Sequence, residues 1–305
     1  MSAAPSTARA VDAPAVSRTA DACVPGDVAA RQDGYSRESA LPAATAHALD
    51  RHLDRRVNAS AGARQARPST AALVRKNVRI PVRVHVIKPR KGAKTKMTKA
   101  KVKRQISIMN KAFAGKQSST GANARIRFVL KGIDYTANRS YWDADYRSAA
   151  AKKMMARLHR GDARTLNLYF SSPKNDVNKT LGWSSFPQRA AKAPRSDGVV
   201  INVDTVPGGR FAGYNRGDTA VHEVGHWLGL FHTFQGGCSS RNDYVSDTPA
   251  ERNPSFTCPI GRDTCSAPGA DPVQNFMDYS YDSCMNHFTR GQVERMKLAW
   301  YAYRR

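Results

Sequence analysis

No apolar run in this 305-residue chain approaches the roughly 18–20 residues that cross a bilayer, which excludes a helical membrane span. The first residues, Met1–Val16, lack a basic end followed by an apolar stretch, so no secretion signal is read in them. No C-x-x-C pair occurs, which argues against a four-cysteine zinc knuckle. No EF-hand spacing and no internal repeat are found. Acidic residues are missing altogether from Arg75 to Lys131, a stretch holding 18 Lys or Arg. The remainder of the composition is ordinary for a globular protein: 41% hydrophobic and 24% charged residues, with enough length for a sizeable core.

The net charge of +25 is unevenly spread. Ile201 to Met285 carries ten acidic and five basic residues, so the chain does not read as a uniform nucleic-acid binder. The basic block suits nucleic acid, an anionic surface or an acidic partner, and its plainer reading is a solvated face that keeps the protein soluble by repulsion. Cys23 stands alone, whereas Cys238, Cys258, Cys265 and Cys284 cluster in a loop-rich region. Four such cysteines suggest two disulfides in any of three pairings, and hence an oxidising, extracellular location.

Residues 1–76 are rich in Ala, Ser, Pro and Arg and read as a largely irregular leader or pro-segment, with a short helical hint at Ala43 to Val57. Order is expected from Asn77. Strands are predicted at 78–87, 124–133, 165–172 and 197–204 from alternating or short apolar runs. Helices are predicted over Thr98–Lys116, with Val102, Ile106, Met109 and Phe113 on one face, over Ala149–Arg160, and over Phe288–Arg305, where Thr289 and Gln292 form a capping box. Residues 235–285 show little periodicity and need staples or bound ions.

The stretch HEVGHWLGLFH, His222 to His232, carries the chemistry. His222 and His226 share one helix face, close enough to reach one ion. Glu223 is placed to hydrogen-bond a metal-bound water without ligating. Gly229 can take the positive φ that ends a helix and returns His232 as third ligand. Three neutral imidazoles leave zinc an open position, a catalytic rather than a structural arrangement. Five fixed identities in eleven positions arise by chance in roughly one chain in ten thousand of this length.

This stretch resembles the long zinc signature of the metzincin metallopeptidases, and NFMDY (275–279) resembles their methionine turn. Within that clan, GHWLGLFHTFQGGC, SDTP and NFMDYSYDSCMNHFTRGQVERM are similar to the pappalysins, of the ulilysin type. The resemblance implies an α+β fold: a twisted, mixed, mostly parallel five-stranded sheet with backing helices, and an irregular, disulfide-stapled C-terminal subdomain. The catalytic domain would span 77–305, divided into subdomains 77–232 and 233–305. The strand at 197–204 or its neighbour would form the cleft rim. The resemblance makes Met277 the floor beneath the imidazoles and Tyr279 a partner of the substrate carbonyl. It pairs Cys238 with Cys265 and Cys258 with Cys284.

The expected activity is that of a secreted zinc-dependent endopeptidase, hydrolysing protein or peptide substrates through a zinc-bound water with Glu223 as general base. It would be made as a latent zymogen inhibited by its own pro-segment. Cys23 would hold it latent by occupying the fourth zinc position, since an unpaired thiolate suits soft-ligand chemistry. Asp243, Asp247, Thr248 and Glu251 concentrate hard oxygen donors in one loop and suggest calcium. The acidic half suggests an acidic cleft and basic substrate residues near the scissile bond. Asn58, Asn138 and Asn178 head formal glycosylation triplets. The competing reading is a basic nucleic-acid- or polyanion-binding protein with a non-catalytic zinc. Glu223 beside the first histidine, and the lack of a fourth protein ligand near His232, speak against it.

Overall fold

A computed structural model of the chain describes residues 35–36, 41–62, 69–173 and 179–305; Cys23 and Asn178 lie outside these residues. The long strand β1 (Val78–Lys88) buries Ile80, Val82, Val84 and Val86, the apolar half of its alternation. It runs parallel to β2 (Ile126–Ala137), with Val78 opposite Ile126, and to β3 (Leu166–Ser171), with Val82 opposite Leu166. β4 (Gly182–Ser184) lies antiparallel on β5 (Val199–Asn202), which is parallel to β3. The order is β2-β1-β3-β5-β4, the mixed five-stranded sheet expected.

β4 was not legible in the sequence. Its three residues are too short to show a period, and only its pairing with β5 makes it a strand.

Helix α1 (Ala43–Gly62) and α2 (Thr70–Arg75) precede the sheet, α3 (Lys99–Phe113) follows β1, and α4 (Ala149–Leu158) precedes β3. α5 (Asp218–Trp227) carries two of the histidines, and α6 (Arg290–Tyr303) ends the chain. α3 buries Val102, Ile106, Met109 and Phe113 as their spacing requires, and α6 begins with the Thr289–Gln292 capping box. One core joins the sheet, α3 and α5 to Phe276, Met277, Phe288 and Met296, so it crosses the expected subdomain boundary at 232/233.

The expectation of a largely irregular segment up to residue 76 is corrected where the residues are described. α1 is twenty residues long and docks against α6. Its sequence is mostly polar, so no apolar stripe announces it. Among its described side chains only Ala46, Leu53 and Val57 are buried, against Phe186 and Phe231 in one cluster and Ala299, Ala302 and Tyr303 in another. Polar ties complete the docking: Arg295 pairs with Asp50 at 2.7 Å, and Arg56 donates to the Ala302 carbonyl at 3.0 Å. Tertiary contact, rather than intrinsic propensity, holds such a helix.

The irregular stretch after His232 is stapled by Cys238–Cys265 and Cys258–Cys284, the pairing the family resemblance implied.

Candidate metal centre

Four local devices set α5. Its first N–H groups have no helical partner, and Gly217 at the cap, with φ +103°, offers no side chain. Instead one oxygen of Asp282 accepts from Arg216, Gly217 and Asp218 at 2.7, 3.0 and 3.3 Å. Midway, Gly225 lets the methionine turn approach, since a Cβ there would lie 2.4 Å from the Met277 sulfur. At the C-terminal end Leu230 N–H bonds the Gly225 carbonyl and Gly229 N–H bonds that of His226, a Schellman turn with Gly229 at φ +96°. That turn brings His232 back over the helix. Lastly, Arg304 and Asp197 form a fully buried bidentate pair at 2.7 and 3.1 Å. The Arg304 guanidinium covers the Trp227 ring at 3.4 Å and donates to the Trp227 carbonyl, locking the helix end.

The three imidazoles converge. His226 Nε2 lies 3.1 Å from His222 Nε2 and 3.0 Å from His232 Nε2. Nδ1 of His222 faces the Phe276 carbonyl at 2.7 Å, and Nδ1 of His226 faces the Leu230 carbonyl at 2.8 Å. A carbonyl oxygen only accepts, so both Nδ1 atoms carry the proton and both Nε2 atoms present lone pairs to each other. Burial pushes the His226 pKa down to about 4, so its own protonation does not resolve that repulsion at neutral pH. A cation between them does. Ligand nitrogens about 2.0–2.1 Å from a tetrahedral zinc stand roughly 3.3–3.4 Å apart, close to the spacing found. The residues therefore fit a divalent metal, and among the described residues no other group of three or more His, Cys, Asp or Glu side chains does.

Glu223 is buried beside this cluster. Its Cγ would be 3.0 Å from a Cβ at Gly182, so the glycine lets the rim strand β4 run against the carboxylate's stem. Tyr279 stands 3.3 Å from His232 Nε2 through its hydroxyl. Asn275 holds the turn by accepting from Met277 N–H at 2.9 Å and exchanging two amide bonds with Gln292. To Gly229, Met277 and Tyr279, expected from the sequence, the structure adds Gly182, Gly225 and Asp282. Gly225 alone was findable in the sequence, as the small residue inside H-E-x-x-H.

Of the oxygens expected to hold calcium, those of Asp247 and Glu251 are engaged by the protein itself. Asp247 accepts from Thr289 and Gly291 at the start of α6, and Glu251 accepts from Thr233, Ser255 and Arg262. Asp243 and Thr248 remain neighbours, with Asp243 also accepting from Val245 N–H, and burial pushes the Asp243 carboxyl up to about 8. The expectation of an acidic cleft is corrected. The carboxylates of the acidic half are mostly buried and bonded to the backbone around them.

The M43 peptidase family, described as pregnancy-associated plasma protein-A, matches residues 150–300. An extracellular metalloprotease of Neurospora crassa is 45% identical over 212 residues, 68% of this chain and 69% of that protein. Extracellular metalloprotease 1 of Coccidioides posadasii is 46% identical over 203 residues, 66% of this chain and 68% of that protein. The chain belongs to the M43 peptidase, or pappalysin, family. Among solved structures, mature mirolysin of Tannerella forsythia in complex with a cleaved peptide is 30% identical at a TM-score of 0.59, covering 74% of this chain and 97% of that one. A promirolysin variant is 26% identical at a TM-score of 0.64, covering 87% and 93%. This pappalysin is thus an extracellular metalloendopeptidase with a metzincin fold. No helix among the described residues is long and apolar enough to cross a membrane.

Proposed function

We propose that His222, His226 and His232 hold zinc, that Glu223 is the general base for peptide-bond hydrolysis, and that the chain is made as a latent zymogen. The observation that carries the reading is the convergence of the Nε2 atoms with two Nδ1 protons already committed to carbonyls. Zinc bound there supplies Lewis acidity, which acidifies water and polarises a peptide carbonyl. The Glu223 carboxylate takes the proton of the attacking water and later passes it to the leaving amine. The Tyr279 hydroxyl, beside His232, donates to the oxyanion. Met277 packs below as the apolar floor. An extended peptide pairs along the edge of β4, next to Glu223. Glu223→Gln should keep stoichiometric zinc and lose hydrolysis of casein by about 1,000-fold or more. Turnover within tenfold of the native enzyme, with intact folding, would remove Glu223 from this role.

Latency rests on two supports. Tyr35–Ser36 pairs in parallel with Lys179–Thr180, immediately before the rim strand, and Leu41 exchanges two hydrogen bonds with Gln235, three residues past His232. With the other four cysteines in disulfides, Cys23 is the thiol left to reach the metal. Cys23→Ala should give activity without processing. A variant as silent as the unprocessed native chain would reject the thiolate latch.

A further inference from the structure

Among the described residues, only one face of the sheet is covered along its whole length. Ile80, Val82, Val84 and Val86 lie in the core with α3 and α5. On the opposite face, Ile87, Tyr169, Val200 and Trp183 pack beneath Ala151, Met154 and Met155 of α4. That cover reaches down to His85, fully buried between Asp134 at 2.7 Å and Asn167 at 3.0 Å. Below His85, Arg79 and Arg83 of β1 and Arg127 of β2 stand exposed. A predominantly parallel sheet normally carries a layer on both faces, so this bare half-face is unusual.

The arginines are arranged against their own repulsion. Arg79 is directly opposite Arg127 in the ladder, where like charges destabilise. Arg83 lies across Gly132, donating to the Lys131 carbonyl at 3.3 Å, and a Cβ at Gly132 would come within 2.6 Å of its guanidinium. Pro81 and Val129, paired in register and half-buried, leave an apolar floor between them. Arg79 and Pro81 also form one wall of an open cavity of about 640 Å³, whose other side is Gly161, Asp162, Arg164 and Thr165. Arg164 is paired with Asp162; Arg79, Arg83 and Arg127 have no acidic partner among the described residues.

The geometry points to a docking strip for an acidic polysaccharide, a linear chain bearing sulfate or uronate groups, on this bare half-face. Planar guanidinium forks match such oxyanions two bonds at a time. An extracellular enzyme meets these polymers. The lining offers no aromatic platform, which sequence-tolerant binding of single-stranded nucleic acid needs. α5 packs on the other face, so a bound polymer leaves the metal centre open and tethers the peptidase to an acidic matrix.

The test uses the full-length chain titrated with heparin from 0.05 to 0.3 M salt. Arg79→Ser, Arg83→Ser and Arg127→Ser combined should weaken binding about tenfold or more and lower the slope of log affinity against log salt by roughly two to three. Combined Lys99→Ser, Lys103→Ser and Lys111→Ser removes the same charge from α3, behind the other face, and should change affinity by less than about threefold. Replacing the three arginines by lysine keeps the charge and should keep the slope while weakening binding through loss of the forks. Equal losses from the two serine triples, or no heparin binding by the native chain at 0.15 M salt, would overturn the strip. Duplex DNA binding as tightly, with the same dependence on the three arginines, would overturn the polysaccharide assignment.

Discussion

The cations of the N-terminal half and the carboxylates of the C-terminal half solve opposite problems. None of the 18 Lys and Arg between Arg75 and Lys131 is buried, and among the described residues only Lys96 pairs with a carboxylate, Asp204. Of the ten acidic residues between Ile201 and Met285, eight are buried. Strands and helices satisfy their own backbone groups, so the sheet half can leave its charges outside. The stretch after His232 has almost no ladder, and its carboxylates take that place. Asp278 accepts from Ser255 and Tyr279 N–H, Asp271 from Thr264, Asp243 from Val245, and Asp247 from Gly291. The charge presented to solvent is therefore more one-sided than composition alone implies, because the acids are withdrawn into scaffolding while the bases stay outside.

The comparison breaks first at the staples. Cys258→Ala combined with Cys284→Ala opens a loop of 26 residues' separation and should cost about 3–4 kcal/mol in the loop-entropy account. Denaturant melting would measure it, with limited proteolysis cutting residues 235–285 before the sheet. A loss below about 1 kcal/mol would mean that the buried carboxylates suffice without the disulfide. Next comes Asp282. Asp282→Ala leaves three N–H groups at the start of α5 without their acceptor, and should cost about 2–3 kcal/mol and weaken metal retention. Removing an exposed cation of the other half, by Lys103→Ala, should stay within about 0.5 kcal/mol. Equal costs for these two substitutions would dissolve the distinction between scaffold acids and surface bases.

Legibility in the sequence followed the distance over which each feature is built. The histidines, Glu223 and Gly229 lie within one helix and its terminal turn, so their spacing alone exposed them. β1, β3 and α3 announced themselves through their own alternation or helical period. What depends on a distant partner stayed hidden. Asp282 caps a helix 64 residues earlier, Phe276 orients His222 from 54 residues away, and Gly182 matters only because β4 passes Glu223. α1 was undervalued because its few buried side chains meet α6 and Phe231, contacts that local periodicity does not encode. The loop acids show only as a concentration of oxygen donors, because composition does not report what they already accept.

Three bases of the C-terminal segment are buried; Arg295 and Arg304 are paired with carboxylates, whereas Lys297 is not, and it gives the smallest test. Lys297 of α6 is buried and donates to the Lys76 carbonyl at 2.6 Å, at the end of α2. Desolvation first, and the nearby Arg125 second, pull its pKa down to about 8 from its ordinary 10.5. Between about pH 8 and 10.5 the unfolded chain holds this proton and the folded chain sheds it. Stability should therefore rise with pH across that window, as the penalty of burying an ammonium is relieved. Solvent screening reduces the gain to about 1 kcal/mol. Lys297→Met removes the titrating group, and its melting profile should be flatter than the native one from pH 8 to 10.5. Parallel profiles would mean that the ammonium is as well solvated in place as in water. Lys297 would then behave like the exposed bases of the other half despite its burial.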